Sequence, residues 1–357
     1  MKSLQLLGLM FGISAMPVFA TEVSIDTRAA HAMLDALQNS RLTRTEAERV
    51  ARMPENQGPI RKLHEFKVNV TEEDLANALY ATAHGEPVSK PEEKAFMLDW
   101  VKPKIPLLQA LLFKIESKPD EFQRMIEKRI TAYTPPGASI KLNGYVVAAG
   151  DGAGYAFGGT DFYLNLVMVD DFVMAKSVTT HELYHAVQGA FATYREPVAQ
   201  ADDTSTACRA VQHLFVNIYD EGSAVEVADV SLLAQFSTPN GLRQKNDMED
   251  GAKHLATSAS LLEMSVASLE ATKAVPYDEV YDVGFYGHAI LYNVAYAMAH
   301  AIAENDGAAG LAAFARRPPS EFIRRYTELP SYGKDKQHPA LGRNTLAALD
   351  LVGKGCP

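Results

Sequence analysis

The chain has 357 residues, with 34 Lys+Arg, 44 Asp+Glu, a net charge of −10, 47% hydrophobic residues and a mean hydropathy of −0.11. Such a chain can bury a sizeable core, and the proportions exclude a disordered or collagenous protein. The acidic balance argues against binding to nucleic acid or to an anionic membrane surface, whose phosphates need Lys and Arg as counter-charge.

Met1–Ala20 carries Lys2, an apolar run from Leu4 to Met16, and Val18-Phe19-Ala20 with small residues at the positions a signal peptidase reads. This order predicts a Sec-type signal peptide cleaved after Ala20. The apolar run is short of the ~20 residues that span a bilayer, and Pro17 ends it. No later segment is apolar enough to span a membrane, so the expected product is periplasmic or secreted. In such a compartment Cys208 and Cys356 either form a bridge that pins the C-terminal tail to the core, or stay as one buried thiol and one tail thiol.

Residues 24–135 read as almost wholly helical, within a helical N-terminal region 21–137. Ala29, Met33, Leu34 and Leu37 fall at helical spacing, and Thr43–Glu46 and Thr71–Asp74 look like helix starts. An apolar helix follows over Ile105–Ile115 and another over Glu121–Tyr133, and Pro135-Pro136-Gly137 ends the region. The texture then changes. Ser139–Ala149 reads as a strand, Gly150–Thr160 holds five Gly in eleven residues, and Asp161–Asp170 reads as a second strand. The Gly-rich stretch leads into a strand, not a helix, so it lacks the amides of a phosphate cradle and predicts a hairpin turn or a flexible rim. Helices return at Phe172–Ala192, Thr206–Leu233 and Gly287–Glu304, with a surface loop at Ser237–Gly251. Asp306-Gly307 stops one helix, Pro318-Pro319-Ser320 starts another, and the tail from Pro330 has little pattern. The fold class is α+β and mainly α-helical, with a second region over 138–357.

His181-Glu182-Leu183-Tyr184-His185 is an H-E-x-x-H motif within the Phe172–Ala192 helix. Residues i and i+4 stand above one another on one helix face, so both imidazoles can ligate one Zn²⁺. Glu182 is turned about 100° from His181 and can reach a water instead of the metal. Asp170 or Asp171 can cap the helix. A catalytic zinc needs a third protein ligand, and the metzincin extension is absent, because Gln188 and Phe191 stand where its Gly and His would be.

Tyr219-Asp220-Glu221-Gly222-Ser223-Ala224-Val225-Glu226 resembles the E-G-x-A element of gluzincins, metallopeptidases whose third ligand is a Glu on a second helix. That resemblance implies Glu221 as the ligand, with Asp220 and Glu226 as nearby alternatives. Small residues at Gly222 and Ala224 would let the two metal helices approach closely. Glu226 or Asp229 could orient a ligand histidine, while the place where gluzincins often carry such a carboxylate holds Val225. The order of strand, turn, strand, H-E-x-x-H, E-G-x-A, then Tyr281-Asp282-Val283-Gly284-Phe285-Tyr286-Gly287-His288 is similar to that of small bacterial gluzincin-like peptidases over about residues 139–326. It implies a zincin-like catalytic core, one Zn²⁺ per chain, a peptide or protein substrate, and Glu182 as general base. Tyr286 and His288 are candidate oxyanion donors, each equally readable as a packing or capping residue. His213 reads as a residue near the ligands or as an ordinary half-buried histidine. Asp161–Asp170 reads as a core strand or as the edge strand that receives an extended substrate. An exported helical binding protein with a degenerate metal site, or a hydrolase of non-peptide amides or esters, would present the same residues.

Overall fold

A computed structural model describes residues 21–138, 140–192, 206–271, 273–287 and 290–356, without the side chains of 286 and 287. Met1–Ala20, read as the signal peptide, lies outside the described residues. Strand β1 (Glu22–Asp26) opens the chain, followed by helices α1 (Arg28–Gln38), α2 (Arg44–Ala51), α3 (Gln57–Glu65), α4 (Glu72–His84), α5 (Pro91–Lys94), α6 (Leu98–Val101), α7 (Ile105–Ser117) and α8 (Met125–Ala132). Strands β2 (Lys141–Val147), β3 (Gly154–Ala156) and β4 (Asp161–Asn165) come next. The remainder is helical: α9 (Phe172–Ala190), α10 (Ala207–Val227), α11 (Pro239–Lys253), α12 (Leu255–Leu269), α13 (Tyr277–Tyr281), α14 (Ile290–Ala312), α15 (Pro319–Thr327) and α16 (Arg343–Val352). The fold is thus α+β and mainly helical, and among the described residues no helix is long and apolar enough to cross a membrane.

The sheet runs β1-β2-β4-β3, with β1, β2 and β4 parallel and β3 antiparallel to β4. Leu142 and Val146 of β2 and Phe162 and Leu164 of β4 alternate toward the main core and are buried, while Val147 and Tyr155 form a second, smaller buried cluster with Ala29. One buried cluster runs from Val23 to Val352 and joins this face to the helices. The predicted helix starts are real. Thr43 and Thr71 both form capping boxes, with Glu46 and Asp74 reaching back to the cap amide.

Several expectations need correction. The wholly helical reading from residue 24 fails at β1, whose partner β2 is supplied more than a hundred residues later, by a pairing that local periodicity does not report. The strand predicted over Asp161–Asp170 stops at Asn165. It is flanked by β2 and β3, so β4 is not the edge strand. The edges are β1 and β3; β3 lies inside the Gly-rich stretch, and the turn after it makes the predicted hairpin. Ser237–Gly251 is largely helix α11, not loop. Thr238 caps it by accepting from the Gly241 amide and Pro239 sits in its first turn, but Gly241 is its one fully buried residue, so no apolar period marks it. The tail contains α16, which the sequence reading missed, whereas the predicted stop at Asp306-Gly307 holds: α14 breaks at Gly307, whose φ of +76° is non-helical, and a second helical stretch continues to Ala312.

Cys208 and Cys356 are bridged, tying the start of α10 to the C-terminus across a separation of 148 residues. A closure that long restricts the unfolded chain strongly. Replacing both cysteines by Ser is expected to lower unfolding stability by about 2–5 kcal/mol, read as a drop in the denaturant midpoint. An unchanged midpoint would mean that the bridge constrains nothing.

Candidate metal centre

Helix α9 carries the H-E-x-x-H motif and starts at a strong cap. Asp171 accepts from the amides of Val173 (2.8 Å) and Met174 (3.0 Å) and from Ser237 Oγ (2.8 Å). Burial opposes its charge, but these donors together hold the Asp171 carboxyl below the usual range. Strand β3 lies against the same helix. A Cβ on Gly154 would stand 2.8 Å from Val178 Cγ1 and 2.9 Å from Glu182 Cγ, so only glycine lets this strand approach the motif.

His181 and His185 stand one turn apart, rings edge-on, with Nε2 atoms 3.1 Å from each other. Glu221, from the middle of α10, places Oε2 at 3.3 Å from His181 Nε2 and 3.5 Å from His185 Nε2. These three atoms form the one metal-sized group of His, Cys, Asp and Glu among the described residues. A tetrahedral ion with bonds of about 2.0–2.1 Å needs ligand atoms roughly 3.3 Å apart, which is the triangle seen. Glu221 Oε2 is buried and accepts no hydrogen bond of ordinary geometry, the condition of a ligand atom reserved for a cation. The donor set and its geometry therefore fit zinc.

In the metal-free pair, burial disfavours both charges, yet the Glu221 carboxylate lifts the His185 imidazole well above its usual range. Burial likewise opposes the charge on Glu221, and His185 with His181 overrides it, holding that carboxyl far below the ordinary value.

Two neighbours that sequence reasoning did not assign complete the centre. Gln188 Oε1 lies 2.7 Å from His185 Nδ1, while its amide nitrogen donates to Asp220 O and Ser223 Oγ, each at 2.8 Å. Gln188 thus fixes the ring so that Nδ1 donates outward and Nε2 faces the centre. Its only sequence signal was its place one turn after His185, noted there as a missing glycine. Gln188→Ala is expected to weaken zinc binding about 10–100-fold, measured by competition with a chelating dye. Unchanged affinity would remove Gln188 from the centre. The second neighbour is Tyr292 on α14, whose phenol feels the charge of the Glu221 carboxylate. Burial first, and then the Glu221 charge, push its phenol far above its ordinary range, so it stays protonated. No local spacing links α14 to α10, so the sequence offered no sign of it.

The other expectations separate. Asp171, not Asp170, is the cap. Asp220 is not among the converging ligand atoms. Glu226 is neither a ligand nor a partner of a ligand histidine. It accepts from Tyr133 (3.0 Å), pairs with His300 Nδ1 (3.0 Å) and lies 3.6 Å from Arg129. Asp229 caps the short turn Val230–Gln235 through the Ser231 amide. Gly222 faces α14, not α9: a Cβ there would fall onto the Ala295 carbonyl. His213 packs on Tyr277, with ring centroids 4.6 Å apart. The side chains of Tyr286 and His288 lie outside the described residues. Their segment contributes Tyr281 and Phe285, stacked at 5.6 Å, and Phe285 meets Tyr292 edge-on at 5.7 Å. A cavity of about 490 Å³ opens beside His181, Glu182 and Tyr292.

The site defines a class: an α+β protein with a half-buried His–His–Glu group of metal-ligand spacing and a further glutamate at the edge of a cavity. The chain belongs to the family described as "Putative zinc dependent peptidase (DUF5700)", whose model matches residues 47–335. No curated protein and no solved structure matches it.

Proposed function

We propose that the chain is an exported zinc metallopeptidase of gluzincin type, with His181, His185 and Glu221 as ligands and Glu182 as general base. The observation that carries this reading is the triangle of 3.1, 3.3 and 3.5 Å made by two imidazole nitrogens and one buried carboxylate oxygen from two helices. The family description supports zinc dependence and peptide hydrolysis. The apolar leader Met1–Ala20 and the Cys208–Cys356 bridge support export to an oxidising compartment.

Zinc held by these residues would polarise a scissile carbonyl and acidify water at the site. Glu182 lies next to His181 on the cavity wall and outside the ligand set, where it can take the proton from attacking water and deliver it to the leaving amine. Gln188 and Asp171 hold the helix and its second imidazole in place. Tyr292, neutral and partly buried at the same cavity, joins Tyr286 and His288 as a donor for the developing oxyanion. The free edge of β3, beside Glu182, is the place where an extended peptide can add as a strand.

The test is the metal content and peptide hydrolysis of the purified full chain. One zinc per chain, lost in His181→Ala together with cleavage of a quenched-fluorescence peptide library, is expected. Absence of bound metal after refolding with zinc would end the catalytic reading. Metal without peptide cleavage would reassign the centre to another amide or ester, or to structure.

A further inference from the structure

The sheet face turned away from the main core is covered at one end by Ala29, Val147 and Tyr155 and hollow at the other. The hollow measures about 850 Å³ and is floored by two rows of residues in register across β1, β2 and β4. In one row Ser24 Oγ donates to Asn143 (3.1 Å), and Asn143 Nδ2 donates to Asp161 (2.9 Å). The other row is Asp26, Tyr145 and Tyr163, with the two phenol rings 5.4 Å apart. Glu55, on the turn before α3, forms a wall. Gly58 seats that turn against the sheet, since a Cβ there would fall onto the Tyr163 ring. We propose that this hollow binds an organic cation of the size of a Lys or Arg side chain, held between Glu55 and the tyrosine rings. The proposal is independent of the hydrolysis reading, because none of these residues belongs to the metal centre.

Four observations point to that ligand. The first is Glu55. Its side chain is only 7% exposed, Arg28 takes Oε1 at 3.0 Å, and Oε2 has no hydrogen-bond donor. A buried carboxylate oxygen without a donor is costly, and a ligand N–H would relieve that cost. The second is charge. Asp26, Glu55 and Asp161 line the hollow against a single cation, Arg28, which is exposed and already bound to Asp26 through Nε and Nη2. Burial first, and then the charges of Asp161, Glu55 and Asp26, raise the Tyr145 phenol above its ordinary range, so the three carboxylates act on one place. The third is the pair of half-buried rings, whose faces attract a cation. The same aromatic row already holds one: the Arg61 guanidinium stands 4.0 Å over Phe157, which meets Tyr163 edge-on. The fourth is spacing. The oxygens of the three carboxylates do not converge as metal ligands, so a bare metal ion does not fit. An ammonium or guanidinium, with several N–H donors on a long stem, can reach separated acceptors.

The test is binding to the full zinc-loaded chain, followed by ligand-observed NMR. N-acetylargininamide is expected to bind at least about tenfold more tightly than N-acetylcitrullinamide, which has nearly the same shape and no charge. Spermidine serves as the second cation: tighter binding of the capped arginine assigns the ligand to a peptide side chain, and tighter binding of spermidine assigns it to a free polyamine. Glu55→Gln keeps an oxygen for Arg28 and is expected to bring the arginine and citrulline amides within about threefold of each other. Tyr145→Leu removes a ring from the floor without touching Glu55 and is expected to weaken the arginine amide by about 3–30-fold. Having both variants keeps the result from depending on one of them folding. His181→Ala is expected to bind the arginine amide as wild type does, which separates this site from the metal centre. Equal binding of the two amides overturns the proposal, as does a preference that survives both variants in folded protein or that disappears in His181→Ala.

Discussion

Glu182→Gln is expected to keep one zinc per chain and to reduce peptide hydrolysis by about 10²–10⁴-fold. The substitution is nearly isosteric, so the packing of this side chain against Gly154 is preserved. None of the three converging ligand atoms belongs to Glu182, so the metal affinity has no reason to fall. What the carboxamide cannot do is take a proton from water. Zinc content by mass spectrometry, read beside single-turnover cleavage, separates this from a structural defect. Retained activity above about a tenth of wild type would remove Glu182 from the role of base. Loss of zinc together with activity would show instead that the side chain holds α9 in place.

The motif half of this centre was legible because it is local. His181 and His185 need only four residues and a helix to converge, and the Asp171 cap and apolar Val178, Leu183 and Val187 announce that helix. Glu221 was legible only by its likeness to a known element, since α10 and α9 meet through tertiary packing. Gln188 and Tyr292 were not legible as partners. Gln188 works through a ring orientation, and Tyr292 through a contact between helices far apart in the chain. The sheet failed for the same reason. β1 pairs with β2 across the whole of α1–α8, and β3 is three residues long within a Gly-rich turn. Helix α11 was missed on different grounds: it is polar almost all round, and its one working face turns to a cavity through Met248 and Gln244. Two glycines are sites of close approach. Gly154 admits α9 to the edge strand, and Gly222 admits α14 to α10.

His185→Ala and Glu221→Ala are each expected to weaken zinc binding by more than the 10–100-fold set by an orienting partner such as Gln188. The two differ in how proton and metal compete. In the metal-free protein His185 is held charged by Glu221, so its stabilising effect is full below the ordinary imidazole range and is lost as pH rises through the raised value. The Glu221 carboxyl is shifted down, so its effect is full above the ordinary carboxylate range and is lost as pH falls through the depressed value. Across neutral pH the metal-free pair is therefore charged on both sides, and zinc must displace a proton from His185 to bind. Wild type is expected to release about one proton per zinc, with affinity rising about tenfold per pH unit in this range. Glu221→Gln takes away the charge that lifts His185, so proton release at neutral pH should fall with the affinity. Calorimetric titration in two buffers of different ionisation enthalpy measures both quantities. A wild-type affinity that does not change with pH would mean that His185 is neutral before the metal arrives, and that the Glu221 carboxylate does not hold its proton.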